Sequence, residues 1–273
     1  MILTDMHIHS LHSGDSSSPM REQVRAAIEK GLAGLCFTEH LDPDYPYEVT
    51  DLAPGTFELD YDAYRSDYLS VREEFRNRIG LFFGIELGLQ SDIADKLQSY
   101  VKEHDQFDFV IGSTHICHHK DPYYPSFYEG RSVKDGLTEF FEGTYENIAA
   151  FSDFDACGHL DYAVRYAPGR EDRYHYSDYT DIIDRILRLL LERGTALEIN
   201  TSPLASGLRQ PNPCADILRR YRELGGELIT IGSDAHTPDR IGYSFDFAAA
   251  MLRDLGFRYY AVYKKREAVM LPL

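Results

Sequence analysis

The sequence predicts an α/β protein built as a distorted (β/α)7 barrel. Short apolar, often β-branched runs alternate along it with longer amphipathic segments, the pattern of repeated βα units around a parallel sheet. Its 273 residues fall in the size range of one α/β barrel with a large core, so a single domain over residues 1–273 is expected. His, Asp and Glu residues also recur just where the apolar runs end. A doubly wound open sheet is the alternative arrangement.

In chain order, strands are expected near Ile2 to His7, Gly34 to Thr38, Leu81 to Glu86, Phe109 to Ser113, Ala156 to Gly158, Ala196 to Asn200 and Leu228 to Gly232, with Phe257 to Tyr263 as an extra terminal strand. The clearest helix lies between the first two, with Ser18 as N-cap, Pro19 at its first position and Gly31 as its stop, each suited by capping or backbone geometry. Further helices are expected near Asp60 to Asn77, Ile93 to Glu103, Val133 to Phe151, Tyr179 to Arg193 and Pro213 to Leu224. Two connections, Asp42 to Gly55 and Ile116 to Arg131, are long and rich in Pro, Tyr and His. Both follow strands, and loops of that length often carry function.

Composition narrows the function classes. With 45 acidic against 28 basic residues the formal charge is −17, which repels polyanions and makes nucleic acid an unexpected partner. No basic leader precedes an apolar run and no stretch reaches the roughly 18 apolar residues of a membrane span, so a soluble cytoplasmic protein is expected. The four cysteines, Cys36, Cys117, Cys157 and Cys214, form no C-x-x-C pair and read as small buried hydrophobes. Twenty Tyr and 15 Phe with no Trp fill a core without identifying a ligand. The sequence specifies no oligomeric state.

The chemistry is carried by the strand ends. The first strand ends in His7-Ile8-His9, and alternation puts both imidazoles on one face, where they can share a metal. Asp15 follows in the next loop. Later strands end in Thr38-Glu39-His40, Gly84-Ile85-Glu86, Ser113-Thr114-His115, Gly158-His159-Leu160-Asp161 and Ser233-Asp234-Ala235-His236. In a parallel barrel these ends converge on one face. A lone histidine at a strand end is usually structural, but the recurrence of nine such groups points to metal, because buried carboxylates and imidazoles in a cluster need compensating cations.

These motifs, together with Gly-Ile-Glu-Leu-Gly, Gly-Ser-Thr-His and Glu-Ile-Asn-Thr, resemble the polymerase and histidinol phosphatase (PHP) superfamily. The segment Gly-His-Leu-Asp-Tyr-Ala-Val-Arg-Tyr and the overall length are similar to its histidinol-phosphate phosphatases. The resemblance implies one metal held by His7, His9, Glu86 and Asp234, with Glu86 bridging to a second held also by His115 and His159. A third would take Asp15, His40 and His236. Many members carry histidine where this chain has Asp15; a carboxylate there still ligates and shifts the preference toward harder ions. Two or three divalent ions, Mn, Fe or Zn, are therefore expected. They would outweigh the carboxylates of Asp15, Glu86 and Asp234 and attract a phosphate dianion, and two of them roughly 3.5–4 Å apart can generate a bridging hydroxide for in-line displacement at phosphorus.

Around this set, Arg165 is the first candidate phosphate clamp, since a guanidinium matches phosphate oxygens bidentately. Related phosphatases can place an Arg directly after the Glu-Ile-Asn-Thr strand; that place is Ser202 here, and Arg209 is the nearest arginine. Asp161 either protonates the leaving alkoxide or orients a metal-bound histidine. Glu198, Asn200 and Glu39 are expected to support ligands, Asn200 also to touch substrate. His12, His118, His119 and Tyr123 occupy loops from which an imidazole-bearing substrate could be read, while His104 and His175 are expected to be solvated. Gly14 to Ser18 reads as a turn plus helix cap.

The expected function is hydrolysis of L-histidinol phosphate, as in histidine biosynthesis. Hydrolysis of another small phosphomonoester, such as a nucleotide or sugar phosphate, is the alternative. A catalytically silent interaction module is a third, disfavoured because all nine ligand positions are filled.

Overall fold

The computed structural model describes residues 1–273. In chain order its elements are β1 (Thr4–Ile8), α1 (Met20–Glu29), β2 (Gly34–Leu41), α2 (Tyr61–Phe75), β3 (Gly80–Gly88), α3 (Ala94–Glu103), β4 (Phe109–Ser113), α4 (Val133–Ala150), β5 (Ala156–Cys157), α5 (Thr180–Arg193), β6 (Ala196–Asn200), α6 (Ser202–Ala205), α7 (Ala215–Glu223), β7 (Ile229–Gly232), α8 (Phe245–Asp254), β8 (Tyr259–Lys264) and β9 (Glu267–Pro272). Strands β1 to β7 form one sheet in sequence order, each parallel to the next. β1, β2, β4, β6 and β7 are buried along their whole length, as expected for parallel strands covered by helices on the outside.

The ring closes where β7 returns to β1. The Asp234 amide donates to the His7 carbonyl at 2.7 Å and the His9 amide to the Ala235 carbonyl at 3.0 Å. This near-closed barrel replaces the open-sheet alternative. Gly232 permits the close approach: a Cβ there would stand 2.3 Å from the His7 Cβ and 2.7 Å from Glu198 Oε1.

Several helix ends follow from local chemistry. The Asp60 side chain caps α2 by accepting from the Ala63 amide, and Ser132 caps α4 by accepting from the Asp135 amide; each satisfies a donor that the first helical turn leaves free. α5 stops at Gly194, whose φ of 67° is left-handed. Ser18 differs from expectation. Its hydroxyl donates to the His236 carbonyl at 2.9 Å and caps nothing, so α1 starts at Met20 and the turn before it is tied to the segment after β7.

Two further departures concern length and number. β2 and β3 run to Leu41 and Gly88, beyond the expected Thr38 and Glu86, because their register continues unbroken to the pair Leu41 and Leu87. The expected terminal strand is β8, but it pairs antiparallel with β9 in a separate hairpin and does not join the barrel ladder. At the hairpin's turn the Lys265 amide donates to Asp108 Oδ1 at 2.9 Å, while Arg266 donates to Asp155 at 2.6 Å and Asp153 at 3.0 Å. These carboxylates stand just before β4 and β5, so the hairpin caps the end of the barrel opposite the strand C-termini. No helix is long and apolar enough to cross a membrane.

Candidate metal centre

The β2–β3 register aligns His40 with Glu86, and barrel closure puts His7 and His9 beside Asp234 and His236. All nine strand-end residues meet there. His7 Nε2 lies 3.1 Å from His9 Nε2, 3.1 Å from Glu86 Oε2 and 3.8 Å from Asp234 Oδ1, and His9 Nε2 lies 3.3 Å from that same Oδ1. The other oxygen of Glu86 lies 2.9 Å from His159 Nε2 and 3.3 Å from His115 Nε2. Asp15 Oδ2 is 3.1 Å from His236 Nε2 and 3.5 Å from His40 Nε2. Glu86 thus has one oxygen in each of two donor groups and Asp15 anchors a third.

These spacings fit shared cations. Donors about 2.0–2.1 Å from one tetrahedral ion stand roughly 3.3 Å apart. His40 Nδ1 and His236 Nε2 are buried and make no hydrogen bond, although Glu86 Oε2 is 3.0 Å from the first and Asp15 Oδ2 3.1 Å from the second. Atoms that approach so closely without aligning on each other are aimed at a common point. Three sets, His7 with His9 and Asp234, His40 with Glu86 and His115, and His9 with His40 and His236, have donor atoms mutually within 4.8 Å.

The electrostatics ask for positive charge at that point. Burial would keep His7 neutral, but the carboxylates of Glu86, Glu198 and Asp234 outweigh it and hold the ring well above the ordinary histidine value. Burial would likewise raise Glu86, and the surrounding His7, His115 and His40 hold it well below the usual carboxylate range. His9 cannot help to balance the charge: burial, with His40 and His236 alongside, pushes it down to about 3.

A second layer of residues fixes the ring orientations. Glu198 lies 2.6 Å from His7 Nδ1 and accepts from the His159 amide at 2.8 Å. Ser13 Oγ lies 3.0 Å from His9 Nδ1 and donates to Glu39, which also accepts from the Ser10 amide and hydroxyl. Asp42 Oδ1 lies 2.8 Å from His115 Nδ1. With Nδ1 engaged, each ring turns the Nε2 lone pair inward. Asp234 itself sits at a φ of +53°, a left-handed backbone that non-glycine residues seldom adopt, and its carbonyl lies 3.0 Å from His236 Nδ1.

Six of the nine, Asp15, His40, His115, His159, Asp234 and His236, line a cavity of about 350 Å³ together with Asp42, Tyr45, Phe57, Asp121, Tyr162, Arg165, Tyr166 and Ser202, while His7, His9 and Glu86 lie behind them. Arg165 is 9% exposed and held on three sides: Nε donates to Asn212 Oδ1, Nη2 to Asn200 Oδ1 at 3.0 Å and Nη1 to Asp234 Oδ2 at 3.2 Å. A guanidinium has five N–H donors, so the remaining ones are free for a ligand in the cavity.

Other expected residues lie elsewhere. Arg209 is 70% exposed, pairs with Glu171 and Asp172 on the surface and does not line the cavity, a placement unlike that expected of a second phosphate clamp. Asn200 supports Arg165 and Asp234 and does not line the cavity. Asp161 does not line it either. Its oxygens accept from the Asn212 side chain and the Cys214 amide, so it neither faces a leaving group nor orients His159, whose Nδ1 has no partner. His119 is 71% exposed beside Asp92, His118 faces Glu139 and Glu146 on the surface, and His12 faces Asp67. Tyr123 is exposed; its ring meets the cavity residue Tyr166, centres 5.0 Å apart, and its amide donates to the cavity residue Asp121 at 2.7 Å. His104 is only partly solvated, half-buried with its ring stacked on Tyr61, centres 3.9 Å apart.

Sequence reasoning missed Asp42, Asp121 and the aromatic wall. For Asp42 a signal existed: it stands two residues beyond His40, and strand alternation carries both to one face. Asp121 and Tyr45 lie inside the two long loops and reach the cavity only through tertiary folding.

The family profile of the PHP domain matches residues 5–202. The chain is 32% identical to a probable histidinol-phosphatase of Clostridium acetobutylicum, covering 93% of this chain and 94% of that protein. It is 30% identical to the histidinol-phosphatase of Lactococcus lactis, covering 95% and 93%. A crystal structure of histidinol phosphate phosphatase from Lactococcus lactis, complexed with zinc, L-histidinol and phosphate, superposes with a TM-score of 0.88 at 29% identity, covering 97% of this chain and 98% of that one.

Proposed function

The chain belongs to the PHP domain family, and on that premise we propose that it hydrolyses L-histidinol phosphate to L-histidinol and phosphate, a reaction of histidine biosynthesis. The observation that carries this reading is the likeness, over nearly the whole chain, to a phosphatase crystallised with zinc, L-histidinol and phosphate. The nine-residue cluster beneath one cavity supports it independently. Two or three divalent ions, Mn, Fe or Zn, would be held by His7, His9, Glu86 and Asp234, by Glu86 with His115 and His159, and by Asp15 with His40 and His236. When bound, such ions activate water and neutralise charge developing on phosphoryl oxygens.

The chain's own residues do the rest. Arg165, its plane fixed by Asn200 and Asn212, presents free N–H groups to the phosphoryl oxygens as a preorganised clamp. Asp161 acts at one remove, by holding Asn212. Glu198, Asp42 and the Ser13–Glu39 pair keep the imidazoles facing inward. Tyr162, Tyr166 and Phe57 give the cavity apolar walls, which lower the local dielectric beside them and strengthen these interactions.

The test is a steady-state comparison of L-histidinol phosphate with nucleotide, sugar and aryl monophosphates, using protein loaded in turn with Mn, Fe or Zn. A kcat/KM for L-histidinol phosphate well above the others, with at least one metal, is expected. Equal values throughout would replace this reading with that of a broad phosphomonoesterase.

A further inference from the structure

We propose that Cys117, His118 and Glu139 form a second, separate metal site where the loop after β4 meets α4, suited to a borderline-soft divalent ion of the zinc class. The proposal does not depend on the phosphatase activity, since none of the three residues lines the metal-centre cavity.

The Cys117 sulfur, one ring nitrogen of His118 and one carboxylate oxygen of Glu139 lie within 4.8 Å of one another. Cys117 and Lys120 exchange backbone hydrogen bonds at 2.9 and 3.0 Å, closing a tight turn. His118 and His119 occupy its two central positions at φ of 48° and 61°, left-handed places usually taken by Asn and Gly. This turn lays the sulfur against Gly143 of α4, where a Cβ would stand 2.5 Å from it. Glycine inside a helix is destabilising, so α4 gives up stability at the position that seats the thiol.

Proton accounting calls for a cation among these donors. His118 Nε2 lies 3.0 Å from Glu146 Oε2, and in the neutral ring it carries the proton toward that carboxylate. Nδ1 then presents a lone pair 3.3 Å from Glu139 Oε1, which is itself an acceptor. The other Glu139 oxygen is taken by the Arg131 guanidinium, so Oε1 remains for the ion. A ligating histidine ordinarily gives its second N–H to a carboxylate, which is the relation of His118 to Glu146. Thiolate, imidazole and carboxylate are zinc donors, whereas Mg and Ca take oxygen alone. On binding, the thiol proton passes to solvent; thiolate and carboxylate then balance the two charges of the ion, and water completes a tetrahedron. An imidazolium bridging Glu139 and Glu146 would satisfy the ring as well, but it makes no use of the sulfur.

The experiment titrates Co²⁺ into the full-length, Mn-loaded protein and follows the near-ultraviolet charge-transfer band that only a sulfur-ligated cobalt ion gives. The nine residues of the metal centre include no sulfur, so cobalt entering that centre is silent in this band. Wild type is expected to develop the band, to saturate it at one ion per chain and to lose it when Zn²⁺ is added. Cys117→Ser should abolish it, and Cys214→Ser, at the only other cysteine that is not buried, should leave it intact. His118→Ala and Glu139→Gln alter side chains that reach solvent and keep the test valid should Cys117→Ser fail to fold. Each should weaken cobalt affinity at least about tenfold, the loss that follows removal of even a supporting residue, while kcat/KM for 4-nitrophenyl phosphate in His118→Ala stays at the wild-type value. Absence of the band in wild type, as an imidazolium bridge alone requires, would overturn the proposal. So would a band lost in Cys214→Ser, or an affinity unchanged in both His118→Ala and Glu139→Gln.

Discussion

His115 and Asp42 form a buried pair in which the ring Nδ1 stands 2.8 Å from the carboxylate. Asp42 Oδ1 fills the space that a side chain at Gly88 would occupy, 2.0 Å from where its Cβ would be, so the pair is held from behind by β3. Removing the carboxylate frees the ring to turn. Asp42→Ala should therefore weaken metal binding roughly 10- to 100-fold, read by competition with a metallochromic chelator. Unchanged affinity would show that His115 is oriented by something else.

Glu86 places one oxygen among His7, His9 and His40 and the other beside His115 and His159. Glu86→Gln removes the charge shared by two donor groups, and kcat should fall by about a thousand-fold or more, the equivalent of several kcal/mol. Metal content after dialysis should drop as well. Chelation of wild type should abolish turnover, and activity surviving exhaustive chelation would refute the metal-dependent mechanism.

Arg165 is the only arginine lining the cavity. Arg165→Ala should lower kcat/KM by about 10- to 100-fold for every phosphomonoester, whatever its alcohol. Asn212→Ala, which leaves the charge but removes one support and uncovers Asp161, should cost about tenfold. A loss confined to one substrate would mean that Arg165 reads the alcohol and not the phosphate.

Asp155 lies at the far end of the barrel, where burial lifts its carboxyl to about 6 despite the Arg266 guanidinium. A carboxyl whose folded pKa exceeds its unfolded one stabilises the fold below about pH 4 and loses that contribution as the pH rises through 6. Measured by urea unfolding, the stability of wild type relative to Asp155→Asn should therefore fall by up to about 3 kcal/mol between pH 4 and pH 7. Parallel pH profiles would show that the carboxyl titrates alike in both states.

The barrel was legible because each strand is an apolar run with a polar end, a pattern that survives without tertiary information. The same logic exposed His7, His9, His40, Glu86, His115, His159, Asp234 and His236, whose backbone positions alone bring them to one face. Side chains reaching the cavity from loops were not legible. Nothing local distinguishes Asp121, which lines the cavity, from His119 two residues earlier, which points to solvent. Arg209 failed for a related reason: proximity to a strand end says nothing of Glu171 and Asp172, which hold it on the surface. β9 was missed although Ala268 to Leu271 is an apolar run: the run is short, alternation is absent, and the strand is exposed along most of its length and pairs only with β8.

The seam between β1 and β7 has a consequence for the life of the molecule. His7 and His9 precede Asp234 and His236 by more than 220 residues in the sequence. They become neighbours only when the His7 carbonyl receives the Asp234 amide. A chain in which β7 has not yet been made brings together at most seven of the nine residues, His7, His9, Asp15, His40, Glu86, His115 and His159, and so cannot present the whole cluster. Because an ion held across the seam would favour the joined ends over the separated ones, it would act as the latch of the ring, and starvation for metal should then be felt first as unfastening of the β1–β7 seam.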